Sequence, residues 1–181
     1  MELHNIRYEV SYRAVKYPRL EFKTGELLIV LPFGHKPGVL LDKYKGWILK
    51  KFDFIKECLK NAKDKELINR TDEEFKELVY FLVKKTSKEL GVKLNHIYFR
   101  KMRTKWASLS SAKNLTINRL MKYLPGYLIR YVVFHEIAHL IEKRHNDKFW
   151  QIISRKYEGH RKMEREMFAY WFLVSKEYSQ I

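Results

Sequence analysis

Three histidines and one glutamate in this chain are spaced for metal-assisted hydrolysis. His135, Glu136 and His139 fall in the run His135-Glu136-Ile137-Ala138-His139, and His145 follows in the polar stretch Glu142-Lys143-Arg144-His145-Asn146-Asp147. On an α-helix, residues four apart lie one above the other, so His135 and His139 can point at one ion. Glu136 is turned about 100° from His135 around the same axis, where it can reach a metal-bound water without ligating the metal. An ion held this way lies beside the helix, not on its axis. The helix must therefore end and the chain must bring back a third ligand, and His145 is placed to be that ligand. Two histidines and a carboxylate on a buried stripe would be costly if they were only core residues. The pattern predicts Zn²⁺ on His135, His139 and His145, with Glu136 as the catalytic base.

The elements around these residues follow from periodicity. Leu128, Tyr131, Val132, His135 and His139 share one face of a helix, with Pro125 suited to its first position. Ile6, Tyr8, Val10, Tyr12 and Ala14 alternate with polar residues as a half-buried strand would. Leu20 to Lys23 and Leu27 to Leu31 continue a small β meander, turning at Thr24-Gly25 and closed by Pro32, Gly34, Pro37 and Gly38. A helix is expected from about Val39 to Asn61, with Ile48, Phe52, Ile55 and Leu59 inward. Another should start at Thr71, which forms a capping box with Glu74, and end at Gly91. Leu94 to Lys101 reads as a strand, and Lys105 to Leu109 with Asn114 to Asn118 as a hairpin. A short helix from Asn146 or Asp147 and a last one from about Arg161 to Lys176 complete the chain. Strands and helices in separate runs give an α+β fold. The expected division is a meander over residues 1–36 and a larger domain over 37–181, together one compact unit.

Composition narrows the function classes. The single cysteine, Cys58, excludes an internal disulfide and a cysteine-rich zinc finger, and its apolar neighbours predict a buried thiol. No apolar signal core opens the sequence and no long uncharged apolar run occurs, so a soluble, cytoplasmic protein with no membrane partner is expected. The net charge of +16 raises the question of a nucleic-acid partner. The lysines are spread along the chain, however, as on solvated helix faces, and no aromatic-basic RNA motif accompanies them.

With these elements laid out, the chain resembles the YgjP-like predicted zinc metallopeptidases, which are related to the SprT-like proteases and more distantly to other zincins. The likeness rests on Arg100-Lys101-Met102-Arg103-Thr104-Lys105-Trp106-Ala107-Ser108, on Leu115-Thr116-Ile117-Asn118, and on Tyr131 to Leu140 with its His135-Glu136-Ile137-Ala138-His139 core. Arg144-His145-Asn146-Asp147-Lys148-Phe149-Trp150 closes the pattern, and the likeness covers nearly the whole chain. Ala107 replaces the family's glycine, and Leu109 the cysteine often found there. The resemblance implies a zincin-like fold of small antiparallel sheets on a helical layer. It also implies zinc on His135, His139 and His145, catalysis by Glu136, and a peptide or protein substrate. A substrate strand could pair with an exposed edge of the Trp106 to Asn118 hairpin. Tyr131, one turn before His135, is a weak candidate for oxyanion stabilisation and reads better as core. Two other readings are a DNA-associated SprT-like protease or nucleic-acid-binding protein, and a metal-binding scaffold with little activity. The intact Glu136 disfavours the scaffold.

Overall fold

The computed structural model describes residues 6–23, 26–62 and 65–178. The expected turn at Thr24-Gly25 lies outside them. The fold is α+β, with two three-stranded sheets and five α-helices among the described residues. The chain divides into two compact units, one of residues 1–64 and 171–181, the other of residues 65–170.

In the first unit, β1 (Tyr8–Tyr12), β2 (Arg19–Lys23) and β3 (Glu26–Leu31) form a sheet beside the helix α1 (Pro37–Ala62). The strands are not the up-and-down meander that their alternation suggested. Their order is β1-β3-β2, with β1 parallel and β2 antiparallel to the central β3. The physical reason lies in β3, whose Leu27, Ile29, Val30 and Leu31 are all buried. A run apolar on both faces belongs in the middle of a sheet, whereas alternating strands suit its edges. The expected inward face of β1 is correspondingly wet, with Tyr8 and Tyr12 nearly half exposed. Ile48 of α1 joins the core of Ile6, Leu27, Ile29 and Leu31, while Leu59, expected inward, is exposed.

The second unit carries the predicted chemistry. Helix α2 (Asp72–Leu90) begins at the expected capping box, Thr71 Oγ1 accepting from Glu74 N–H and the Glu74 carboxylate accepting from Thr71 N–H. It ends at Gly91, whose φ of 66° is the left-handed conformation that glycine adopts without penalty. Strands β4 (Ile97–Arg100), β5 (Ala107–Leu109) and β6 (Leu115–Asn118) follow in the order β4-β6-β5. The predicted hairpin is β5 with β6, antiparallel, and β4 lies parallel to β6 on its other side. Arg119–Tyr123 form a 3₁₀ turn that periodicity did not reveal. Helix α3 (Gly126–Ala138) packs on α2, on β5 and on α4 (Asp147–Lys156). The last helix, α5 (His160–Tyr178), runs across the division between the units.

One buried asparagine ties the end of β6 to the segment leading into β5. Asn118 is fully buried, and its amide nitrogen donates to the Met102 and Lys105 carbonyls, both at 2.8 Å. Its oxygen accepts from Leu120 N–H at 3.1 Å and Met102 N–H at 3.3 Å, so every hydrogen-bonding position is used. Asn118→Ala leaves two carbonyls without their donor and is expected to cost about 2–4 kcal/mol. Thr71→Ala, at an exposed cap, should cost about 1 kcal/mol. Urea unfolding of both variants tests the ranking; an Asn118 loss no larger than that of Thr71 would show that the network does not hold this turn.

Candidate metal centre and cleft

The segment that ends α3 explains how the third histidine returns. After Ala138 the ladder tightens: His139 N–H donates to Glu136 O, Leu140 N–H to Ile137 O and Ile141 N–H to Ala138 O. His139 keeps right-handed helical angles as the capping residue, so the four-residue stacking with His135 survives the helix end. Pro125 is likewise the N-cap and not the first helical residue. The chain reverses through residues 140–146, and Asn146 restarts it as the N-cap of α4, its side chain accepting from Phe149 N–H at 3.1 Å. That cap fixes the backbone next to His145.

The three histidines converge. His135 Nε2 and His145 Nε2 are 3.0 Å apart, and one nitrogen of each of the three lies within 4.8 Å of the others. His139 Nδ1 is 3.0 Å from the Glu142 carbonyl; donation there fixes the tautomer and leaves Nε2 as a free acceptor. Burial, then the neighbouring His139 and His145, push the His135 imidazole down to about 3, so it is neutral with a lone pair available. His139 is lowered too, chiefly by burial. Three histidine nitrogens gathered this closely fit a single metal ion. Phe149, fully buried, contacts all three rings, with centroids 4.9, 4.5 and 4.7 Å from His135, His139 and His145. Trp150 is stacked between His145 and His160, at 5.6 and 5.1 Å. Sequence reasoning had Phe149 and Trp150 as apolar residues of a short helix and as the end of the family pattern, without a role beside the histidines. Their adjacency to His145, one turn on, was the available signal.

Glu136 lies beside β5 and the residues that enter it. The hydrogen bonds Asn118 N–H to Trp106 O (2.8 Å) and Ser110 N–H to Asn114 O (2.9 Å) set the phase of the β5–β6 pair. Trp106, Ser108 and Ser110 therefore direct their backbone groups at β6, while Ala107 and Leu109 turn theirs to the open edge. There the Leu109 N–H lies near enough to the Glu136 carboxylate to favour its charged form. Burial pushes the Glu136 carboxyl up to about 7, against the opposing pull of that N–H and of the nearby Lys105 ammonium. A carboxyl balanced near neutrality can take and return a proton. The open edge of β5, the histidines and Glu136 line one cleft of about 810 Å³. Tyr131 also lines it, but is buried and donates its hydroxyl to Glu164 Oε1 at 3.2 Å.

A family model described as YgjP-like, metallopeptidase domain, matches residues 42–170. Among solved structures, the chain is similar to the metallopeptidase zymogen of Pyrococcus abyssi abylysin, at 21% identity and a TM-score of 0.45, over 56% of this chain and 95% of that one. It is also similar to the metallopeptidase zymogen of Methanocaldococcus jannaschii jannalysin, at 23% identity and a TM-score of 0.44, over 49% and 90%. No curated protein matches the sequence. No helix among the described residues is long and apolar enough to cross a membrane.

The raised Glu136 carboxyl has a measurable effect on metal-free protein. A carboxyl whose folded value lies above its unfolded value adds stability below the unfolded value and loses it as pH rises through the folded one. Between an ordinary 4.5 and about 7, the wild type should therefore weaken relative to Glu136→Gln, by up to about 3 kcal/mol above pH 8. The histidine contributions are common to both proteins and cancel in the difference. Urea midpoints at pH 5 and pH 8 measure it; a difference that does not grow with pH would show that Glu136 is not desolvated.

Proposed function

The chain belongs to the YgjP-like metallopeptidase family, and from that premise we propose a zinc-dependent peptidase that uses His135, His139 and His145 as ligands and Glu136 as general base. The observation that carries the reading is the convergence of three histidine nitrogens beside a buried carboxyl raised to about 7. Three histidines leave the ion its full charge and an open position, the pattern of catalytic rather than structural sites. When bound, zinc supplies Lewis acidity toward both the attacking water and the scissile carbonyl.

The chain's own residues do the rest. Glu136 accepts the proton of the attacking water and delivers it to the leaving amine, and the nearby Leu109 N–H favours its charged form for that exchange. Phe149 excludes water from one side of the imidazoles and restricts their rings. The open edge of β5, with the outward groups of Ala107 and Leu109, supports pairing with an extended peptide. Backbone pairing of this kind is tolerant of sequence, in keeping with a peptide or protein substrate.

Glu136→Gln should keep metal and fold while losing about 10²–10⁴-fold in turnover. His135→Ala should instead lose the metal. Bound zinc is measured by elemental analysis, and turnover by mass spectrometry of fragments released from an unstructured protein. Equal cleavage by wild type and Glu136→Gln would assign the activity to another site, and full zinc retention in His135→Ala would remove that residue from the ligand set.

A further inference from the structure

The same cleft carries a charge pattern that bears on which peptides it takes. Lys105, Lys113 and Lys143 line it from three segments: the residues entering β5, the β5–β6 turn, and the connection after α3. All three are exposed, and none forms an ion pair with a described residue. Only two carboxylates line the cleft among the described residues, fewer than its three lysines. Glu136 lies beside the Leu109 N–H, and Glu164 receives the Tyr131 hydroxyl. The walls between are largely apolar, including Val132, Leu140 and Met167. A cleft with low-dielectric walls and an excess of cations over carboxylates focuses its field on an incoming anion.

We infer that this cleft selects peptides carrying carboxylate side chains on both sides of the scissile bond. The inference rests on the peptidase reading above. From Lys105 to Ser110, where the turn holding Lys113 begins, an extended strand spans about 16 Å, or five residues. A peptide paired along β5 with its central bond near Glu136 therefore has residues two or three places to either side within reach of a lysine. Lys143, from the other wall, adds to the same field. The acidic partner is attracted over the whole mouth, while a lysine-rich peptide is repelled at both ends.

The test uses peptides with one neutral centre, flanked at the second and third positions on both sides by Glu, Gln or Lys. Binding to the zinc-loaded Glu136→Gln protein is read by fluorescence anisotropy, and cleavage by the zinc-loaded wild type in parallel. The Glu-flanked peptide should bind about tenfold more tightly than the Lys-flanked one at low salt, with the gap closing in about 0.5 M salt. Lys113→Glu with Lys143→Glu should reverse the order. Equal binding of the two peptides, or an order unchanged by the double variant, overturns the inference. So does a single-stranded DNA of equal charge that displaces the Glu-flanked peptide as well as that peptide displaces itself, since the lysines would then serve any polyanion. Selective binding without turnover of any peptide would sink the peptidase reading and leave the selectivity standing. Turnover without selectivity would do the reverse.

Discussion

Helix α3 brings two imidazoles and a carboxyl into an interior that is otherwise apolar, and the desolvation of those three groups constrains everything around them. Leu128, Ile129, Val132, Val133, Phe134, Ile137 and Ala138 are buried around nearly the whole helix. The functional groups lie half-buried at the end of the helix, beside the cleft. Each must find a partner or lose its charge. His135 is held neutral, His139 donates a hydrogen bond from Nδ1 to the Glu142 carbonyl, and Glu136 sits beside the Leu109 N–H while burial raises its carboxyl to about 7. The partners come from the segment beyond the helix end and from the edge of β5, so both have to be fixed for α3 to be buried at all.

The way they are fixed is economical. β5 is short and is an edge strand, and a three-residue edge alone would be marginal. Its entry is tied through Asn118 to the end of the central strand β6, and Trp106 Nε1 donates to the Met167 carbonyl of α5 at 3.3 Å. At the other end, Asn146 starts α4 and thereby places Phe149 and Trp150 against His145, an otherwise exposed side chain. Rings and caps, rather than buried area, hold the third histidine.

Much of this was legible in the sequence because it depends on local spacing. The His135–His139 stacking follows from the helical repeat, the Thr71–Glu74 box and Gly91 from the chemistry of helix ends, and the β5–β6 hairpin from alternation around a short polar turn. Strand order was not legible. In both sheets the first strand lies parallel to the third and the second lies antiparallel to it, a connection that crosses over and leaves no local mark. The signal that existed was negative: β3 is too uniformly apolar to sit at an edge. Asn118 was visible as a residue but not as a fastener, since its four bonds join residues that only the tertiary fold brings together.

The nearness of the Leu109 N–H to Glu136 also bears on how a substrate must be held. An edge strand normally offers an incoming strand the N–H and carbonyl of each outward residue. Here the Glu136 carboxylate competes for the N–H of Leu109, so the short rail of β5 presents the two groups of Ala107 and chiefly the carbonyl of Leu109. Main-chain pairing over so few groups gives register more than affinity. The remainder of the binding energy has to come from side chains reaching the cleft walls and mouth, where Val132, Leu140 and Met167 offer apolar contact and Lys105, Lys113 and Lys143 offer charge. A Glu136 carboxyl set beside the edge strand thus shifts selectivity from the peptide backbone to the side chains that reach the cleft walls and mouth.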